Sequence, residues 1–103
     1  MTCYLYVLRC GDGSLYAGVT NDLARRLAEH RSGRGGRYTR AHLPVMPVAV
    51  WRFPDRAVAM RAEIHFKRLR RHKKLTYVTE RRSFEGAPFA TKVLAAVVEK
   101  KVD

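Results

Sequence analysis

Two short runs near the N-terminus alternate in the manner of a β-hairpin. Residues 4–8 read YLYVL, residues 15–19 read LYAGV, and residues 10–14 between them read CGDGS. Successive side chains of a strand point to opposite faces, and glycines supply the positive backbone angles of a tight turn. We therefore predict two antiparallel strands, with the glycines of the connecting segment in the turn. The apolar row of the second strand would face a core, which leaves Tyr6 and Tyr16 together on the opposite face.

The shared face of Tyr6 and Tyr16 has two interpretations at this point. Tyrosine is common in strands because its ring packs well on a pleated surface, so the pair can be purely structural. Two phenols on one face are also within reach of a single ligand. The alternation alone does not choose between them.

The chain is strongly basic, with 21 lysines and arginines against 9 acidic residues and a net charge of +12 in 103 residues. Such an excess repels itself unless a polyanion lies nearby, so nucleic acid is the first expected partner and an anionic membrane surface the second. The length suits one domain, and the apolar fraction of 47% suits a globular fold. The sequence has no apolar run of about eighteen residues and no signal-peptide pattern, so we expect a soluble cytoplasmic protein that does not associate with a membrane.

Capping residues and periodicity predict two helices and a third strand. Asp22 can accept hydrogen bonds at the start of a helix over residues 23–30, and Asp55 can do the same for a helix over residues 56–70. Between them we expect a loop and then a strand over residues 45–53.

The rest of the chain predicts a single domain with an extension. A short helix is expected over residues 73–82, and the apolar tail after Pro88 is typical of another helix. We therefore expect an α+β fold over residues 1–82, in which helices flank a small, mainly antiparallel three-stranded sheet. Residues 83–103 would form a helical C-terminal extension packed on that domain.

Two clusters of basic residues are candidates for contacts with nucleic acid. One lies on the glycine-rich loop before the third strand and includes an aromatic residue, and the other spans the end of the second long helix. Guanidinium groups match phosphate oxygens two bonds at a time, and a tyrosine ring can stack on a base. For any single residue, a solvated basic surface is the alternative interpretation. The candidates are Arg34, Arg37, Tyr38 and Arg40 in the loop, and Lys67, Arg70 and Arg71 in the second cluster.

Other residues suit hydrolysis of a phosphodiester. That reaction requires a base for the water, a cation beside the phosphate and usually a metal held by a carboxylate. Arg26 supplies a permanent positive charge, and Glu63 supplies one hard oxygen ligand of the kind that suits Mg²⁺. Plainer roles stay open, because Arg26 can be a surface cation and Glu63 can pair with Lys67 one helical turn later. His30 can likewise be a residue favoured by the negative end of a helix dipole.

Taken in order, these motifs resemble the core of the GIY-YIG nuclease superfamily. Residues 4–6 (YLY) and 16–18 (YAG) stand where the two tripeptides of the family name stand, and residues 20–26 (TNDLARR) lead into His30. Residues 59–63 (AMRAE) match the later helix that carries a glutamate. The resemblance covers most of the chain and is to the small single-domain bacterial branch, which is similar in turn to the catalytic domain of nucleases that cut branched DNA.

The resemblance implies a role for each matching residue. One of Tyr6 and Tyr16 would activate the attacking water, directly or through a metal-bound water, and the other would position it; we favour Tyr6 as the base. Arg26 would stabilise the phosphate, and His30 would assist proton handling or contact the substrate. Glu63 would be the sole protein ligand of a divalent cation, Mg²⁺ or Mn²⁺.

Three further positions bear on the resemblance. Tyr38 matches an aromatic residue found near the site in this branch, and Gly18 would let the strand backbone approach closely. Val19 stands where excision-repair incision enzymes of the superfamily carry a lysine. An activating cation would therefore have to come from elsewhere, such as the arginines of residues 34–40.

The function implied by the resemblance is a metal-dependent endonuclease that hydrolyses phosphodiester bonds in DNA, with structured or repair-related DNA as a candidate substrate. A non-cleaving nucleic-acid-binding module on the same fold is the first alternative, and a structural basic protein, such as a ribosome-associated factor, is the second. DNA is the expected partner, with RNA left open, and a separate targeting protein is a further candidate. The sequence does not define the oligomeric state.

Overall fold

The computed structural model describes residues 2–79 and the backbone of residues 91–92. In chain order its elements are β1 (Cys3–Arg9), β2 (Leu15–Thr20), α1 (Leu23–Arg31), α2 (Arg37–Ala41), β3 (Met46–Phe53), α3 (Arg56–Arg68), α4 (Arg71–Thr79) and β4 (Thr91–Lys92). The predicted α+β fold is confirmed. Within this part of the chain, no helix has the length and apolar character needed to cross a membrane.

The sheet is antiparallel with strand order β2-β1-β3-β4, so β1 is central and β2 forms an edge. The predicted small three-stranded sheet flanked by helices is confirmed, and β4 adds two residues beside β3. The predicted helical extension, residues 83–103, falls outside the described residues except for Thr91–Lys92. These two residues pair as a strand where we expected a helix, because the open edge of β3 offers unpaired backbone groups.

The connection between β1 and β2 is the predicted tight turn. The Cys10 amide donates to the Ser14 carbonyl at 2.9 Å, and Gly13 has a φ of 87°, which favours glycine. Gly11 does not have a positive φ, contrary to the prediction. Its amide instead donates to the His42 carbonyl at 2.6 Å, and a Cβ there would collide with the neighbouring backbone. The first glycine of the turn therefore allows close packing of two loops.

Both long helices begin at the predicted caps. The Asp22 carboxylate accepts a hydrogen bond from the Arg25 amide at 3.2 Å at the start of α1. The Asp55 carboxylate accepts one from the Val58 amide at 2.9 Å at the start of α3. Each cap satisfies a backbone N–H that would otherwise have no partner within its helix.

Two helical segments differ in part from the predictions. The segment between α1 and β3, expected as a loop, contains the five-residue helix α2, which is held by a buried side chain rather than by local propensity. The helix predicted over residues 56–70 ends at Arg68, because Leu69 is extended (ψ 149°), and α4 begins at Arg71. The second basic cluster is therefore divided between two helices.

Each face of the sheet carries its own buried cluster. On one face, α3 and α4 cover a cluster that includes Trp51 and Phe66 and is apolar apart from the Tyr77 hydroxyl. On the other face, α1 packs Leu23 and Leu27 against a second cluster. The central strand β1 is largely buried between these layers, whereas the edge strand β2 is mostly only half-buried.

The expectation that Tyr6 and Tyr16 share a face is confirmed, since the centroids of both rings lie 5.4 Å from that of His30. That face is covered by α1, however, and Tyr6 is only 1% exposed. The two tyrosines therefore have different environments, because Tyr16 belongs to the edge strand and Tyr6 to the central one.

Candidate functional site

A chain of buried hydrogen bonds joins three elements above the Tyr6 face of the sheet. The Tyr6 hydroxyl lies 2.8 Å from Nε2 of His30 on α1, and Nδ1 of His30 lies 2.9 Å from Oγ1 of Thr39 on α2. Arg26, one turn before His30, donates from Nε to the Tyr6 hydroxyl at 3.4 Å. Every buried side-chain nitrogen and oxygen in the described part of the chain has a partner. The Tyr6 phenol is thereby held by two side chains of the same helix.

Two glycines make room for this network. Gly18 is directly opposite Tyr6 in the β1–β2 ladder, and a Cβ at that position would collide with the Tyr6 hydroxyl. A Cβ at Gly35 would collide with the His30 ring. The sequence-based role of Gly18 in close approach is consistent with this geometry, and the group that approaches is the phenol of Tyr6.

Burial sets the protonation states of the network. Loss of solvent raises the pKa of Tyr6 above 10.0, although the hydrogen bond and positive charge of Arg26 act in the opposite direction. Loss of solvent, assisted by the Arg26 charge, lowers the pKa of His30 to about 4. His30 is therefore neutral at pH 7 and has a single N–H. It donates to one of Tyr6 and Thr39 and accepts from the hydroxyl of the other.

Arg26 is held in place by more than Tyr6. Its Nη2 donates to the Gly35 carbonyl at 2.7 Å and its Nη1 to Glu29 Oε1 at 3.1 Å, while 33% of the side chain stays exposed. Arg26 is therefore not a free surface cation, which was the plainer interpretation of the sequence. A guanidinium fixed by three acceptors, with part of its surface open, can meet an anion without reorganising.

A cleft of about 320 Å³ opens along the β2 edge. Tyr16 and Tyr38 line it from the Tyr6 side, Lys67 and Lys74 line it from α3 and α4, and apolar side chains of β2 with Phe66 complete the wall. The Tyr16 and Tyr38 rings are nearly parallel, with 15° between their planes and 6.0 Å between their centroids. The cleft therefore joins the two faces of the sheet.

Tyr38 is fixed at the mouth of this cleft although it is 41% exposed. Its hydroxyl donates to Ser14 Oγ at 2.6 Å, and Ser14 Oγ in turn donates to Asp12 at 2.5 Å. Its ring stacks on His42 with centroids 4.3 Å apart. These contacts connect Tyr38 of α2 to the β1–β2 turn.

Glu63 lies on α3 beside Lys67, one of the residues that line the cleft. Its Oε2 lies 3.5 Å from Nζ of Lys67, which is the plainer pairing that the helical spacing predicted, and 19% of its side chain is exposed. The Glu63 charge is one of the weaker causes that raise the Tyr6 pKa, so the carboxylate lies within electrostatic range of that phenol. No group of three histidine, cysteine, aspartate or glutamate side chains converges within the described residues. A single accessible carboxylate fits a largely hydrated Mg²⁺ or Mn²⁺, and a site of several protein ligands does not.

The basic residues predicted to contact nucleic acid divide into two groups. Lys67 lines the cleft with Tyr38, whereas Arg71 donates from Nη2 to the Gly13 carbonyl at 2.9 Å and so ties α4 to the β1–β2 turn. The others are exposed and do not line the cleft, and they are Arg34, Arg37, Arg40 and Arg70.

Two residues of the site escaped the sequence analysis, because Thr39 and Gly35 were given no role and both contact His30. Lys74, the last residue of the basic run at residues 67–74, lines the cleft. A pair of glycines at residues 35–36 is a weak signal of close backbone approach, but no local pattern distinguishes Thr39 from any polar loop residue. The role of Thr39 follows only from its contact with His30 of α1.

Comparison with known proteins defines the class to which this fold and site belong. A model of the GIY-YIG catalytic domain matches residues 2–81, and the chain therefore belongs to the GIY-YIG family. The resemblance seen in the sequence is thereby confirmed.

Within that family, the chain is similar to small bacterial UPF0213 proteins. The UPF0213 protein of Streptococcus sanguinis (strain SK36) is 50% identical over 78 residues, which are 76% of this chain and 90% of the relative. A UPF0213 protein of Xanthomonas axonopodis pv. citri (strain 306) is 53% identical over 75 residues, 73% of this chain and 74% of the relative. The solution NMR structure of the UPF0213 protein BH0048 from Bacillus halodurans is 44% identical, covers 86% of this chain and 90% of its own, and has a TM-score of 0.54.

Proposed function

We propose that this protein is a metal-dependent endonuclease that hydrolyses phosphodiester bonds in DNA, including structured or repair-related DNA. The observation that carries the proposal is the fixed Arg26 guanidinium, which is bonded to the Tyr6 phenol and partly open to solvent. Membership of the GIY-YIG family, whose name denotes a nuclease fold, supports it.

Arg26 would stabilise the phosphate as negative charge develops on its oxygens. Its three hydrogen bonds fix the guanidinium before the substrate binds, so little reorganisation is needed during the reaction. His30 is 0% exposed and contacts Tyr6 and Thr39, so we assign it as a positioning residue for the Tyr6 phenol rather than as a group that contacts the substrate.

The base is better placed at Tyr16 than at Tyr6. Tyr6 is buried, bonded to His30 and Arg26, and has a raised pKa, all of which oppose its action on a water molecule. Tyr16 is half-buried and lines the cleft, where a water and a phosphate can reach its hydroxyl. We therefore reverse the assignment favoured from the resemblance, with Tyr6 as the residue that orients the site.

Glu63 would hold the divalent cation through one carboxylate oxygen, with water completing the coordination. When bound, Mg²⁺ or Mn²⁺ would supply positive charge that neutralises the phosphate and lowers the pKa of nearby water. Lys67 pairs with this carboxylate in the free protein, so Glu63 would exchange an ammonium partner for the cation.

The exposed cations provide the affinity for DNA. These cations are exposed and outside the lining of the cleft, so they would contact phosphates other than the reacting one; they are Arg34, Arg37, Arg40 and Arg70. If about five phosphates are neutralised on a duplex, the logarithm of the binding constant falls with that of the salt concentration with a slope near −4.5. Binding would then depend on salt far more than cleavage at saturation.

The test is cleavage of labelled single-stranded, duplex, flap and four-way-junction DNA with Mg²⁺, Mn²⁺ or EDTA. We expect metal-dependent cleavage that Glu63→Gln abolishes while DNA affinity is retained. Asp55→Asn is the matched control, because it removes a carboxylate charge from the same helix and leaves a side chain that caps well. Arg26→Ala should slow the chemical step by more than it weakens binding. A Glu63→Gln protein that cleaves as fast as the wild type would contradict the proposed metal role.

A non-cleaving nucleic-acid-binding module is the second candidate function. The pairing of Glu63 with Lys67 and the burial of Tyr6 favour it, because both limit the groups available to the reaction. Tight, salt-dependent binding with no product in any metal would support this candidate instead.

A further inference from the structure

We propose that the cleft along the β2 edge binds one unpaired nucleotide of a DNA strand, with its base against the Tyr38 ring and its phosphate at Lys67 and Lys74. The inference rests on the nucleic-acid substrate of the proposed function and narrows it. The preferred DNA would be one in which a base is free to leave the stack, such as a single strand, a flap or a bulge.

The size and lining of the cleft suit a single nucleotide. Its volume of about 320 Å³ is at the lower end of the range for small-molecule sites, roughly 300–1,000 Å³. Its lining combines apolar and aromatic side chains with the two lysines, Lys67 and Lys74. This combination matches a planar ring attached to an anion, and the space is too small for a base pair with both of its backbones.

Tyr38 has a fixed orientation at the mouth of the cleft. Its hydroxyl bonds to Ser14, and its ring has two stacked neighbours, His42 at a centroid distance of 4.3 Å and Tyr16 at 6.0 Å. A base would stack on the surface of Tyr38 that these neighbours leave open, since 41% of the residue is exposed. A ring that is already ordered loses little conformational entropy when a base stacks on it. Stacking requires the face of a base, which is covered by neighbouring bases inside a duplex, so the site favours an unpaired base.

Lys67 and Lys74 provide positive charge for the phosphate of the nucleotide. The Lys74 ammonium lies 5.9 Å from the centroid of Phe66, at the apolar wall of the cleft, and has no ion pair with a carboxylate among the described residues. Lys67 already forms an ion pair with Glu63, in which Nζ lies 3.5 Å from Oε2. A phosphate between these ammonium groups would neutralise Lys74 and compete with Glu63 for Lys67. The bound anion is therefore expected beside the carboxylate assigned to the metal.

The experiment measures binding in EDTA, so that it does not depend on cleavage. The probes are a duplex with one unpaired 2-aminopurine and the same duplex with that base paired to thymine. We expect tighter binding of the unpaired probe and a change in 2-aminopurine fluorescence as its base stacks. Tyr38→Leu should weaken binding of the unpaired probe by about 5- to 150-fold, the range for loss of one stacked base, and leave the paired probe unchanged. Tyr38→Phe keeps the ring and should retain the preference.

The lysines provide a matched pair of charge variants. Lys74→Met should lower affinity for the unpaired probe more than for the paired one, whereas Lys73→Met, which removes a neighbouring exposed charge outside the cleft, should weaken both equally. Free deoxyadenosine monophosphate should compete weakly, because it lacks the flanking phosphates. If it binds as tightly as the unpaired probe, the cleft is a mononucleotide site and the proposal is overturned.

Equal affinity for the two probes, or equal effects of Tyr38→Leu on both, would overturn the proposal even if the protein cleaves DNA. A clear preference that depends on Tyr38 would support it even if no DNA is cleaved in any metal. The inference and the proposed nuclease activity can therefore fail separately.

Discussion

The two faces of the sheet are built from different interactions. The face under α3 and α4 buries Trp51, Phe53 and Phe66 among other apolar groups, so its buried cluster is mainly apolar. The face under α1 buries Tyr6, His30 and Thr39 in a hydrogen-bonded chain beside its apolar residues. The first face tolerates small shifts of its side chains, whereas the second requires each donor to meet its acceptor. The difference indicates that apolar packing fixes the helices that carry Glu63, Lys67 and Lys74, whereas hydrogen bonds fix Tyr6 and Arg26.

Loss of a large side chain from the apolar face should have the largest effect. Trp51 is completely buried between β1 and the helices, so Trp51→Ala should lower the free energy of unfolding by about 3–5 kcal/mol. In the fraction that stays folded, the depressed pKa of His30 should be unchanged. Urea denaturation and NMR titration of His30 measure the two quantities. If the His30 pKa returns to near 6.5 in the folded protein, the two faces are not independent.

The second prediction concerns the stability of the fold at acidic pH. The pKa of His30 is about 4 in the folded protein against 6.5 as its usual value, so the unfolded chain binds more protons between these values. The free energy of unfolding should therefore fall as pH drops from 6.5 towards 4, by roughly 1 kcal/mol per pH unit. Urea denaturation across this interval checks it. His30→Gln should flatten the dependence, whereas His72→Gln, at an exposed position, should leave it as it is. An unchanged slope in His30→Gln would contradict the assignment.

The third prediction tests the far end of the hydrogen-bonded chain. Thr39→Val keeps the shape of the side chain but leaves Nδ1 of His30 without a partner, which should cost about 1–2 kcal/mol. Cleavage should also slow, because the Tyr6 orientation depends on the same ring. Thr39→Ser restores the hydroxyl and should recover both properties. The ¹⁵N shifts of the His30 ring report on the tautomer, and a purely packing role for Thr39 predicts no change in them.

The smallest effect is expected from the helix caps, one on each face. Asp22→Ala and Asp55→Ala each remove one carboxylate acceptor and should each lower stability by about 1 kcal/mol. Asp22→Ala should lower cleavage more than Asp55→Ala, because Arg26 lies one turn beyond the Asp22 cap, whereas Glu63 lies two turns beyond the Asp55 cap. Thermal unfolding and cleavage rates at saturating DNA separate the two effects. Equal rates in the two variants would show that the orientation of α1 does not limit the reaction.

Sequence reasoning succeeded wherever a feature depends on neighbours along the chain. The hairpin, the Asp22 and Asp55 caps and the pairing of Glu63 with Lys67 all follow from spacing of four residues or fewer, or from alternation. The order of motifs identified the family, which the family match confirms. The helix boundary at Leu69 and the existence of α2 were missed, because each depends on what the segment packs against.

By itself, the sequence determined the β1–β2 hairpin, β3, the two capped helices, the family and the basic character of the chain. Only the tertiary structure decided that Tyr6 is buried and Tyr16 is not, that Thr39 completes the His30 network, and that Lys67 and Lys74 face one cleft. The physical reason is that burial, and the pKa shifts that follow from it, arise between segments distant in sequence. Two tyrosines with the same local pattern acquire different chemistry because one lies on the central strand and the other on the edge.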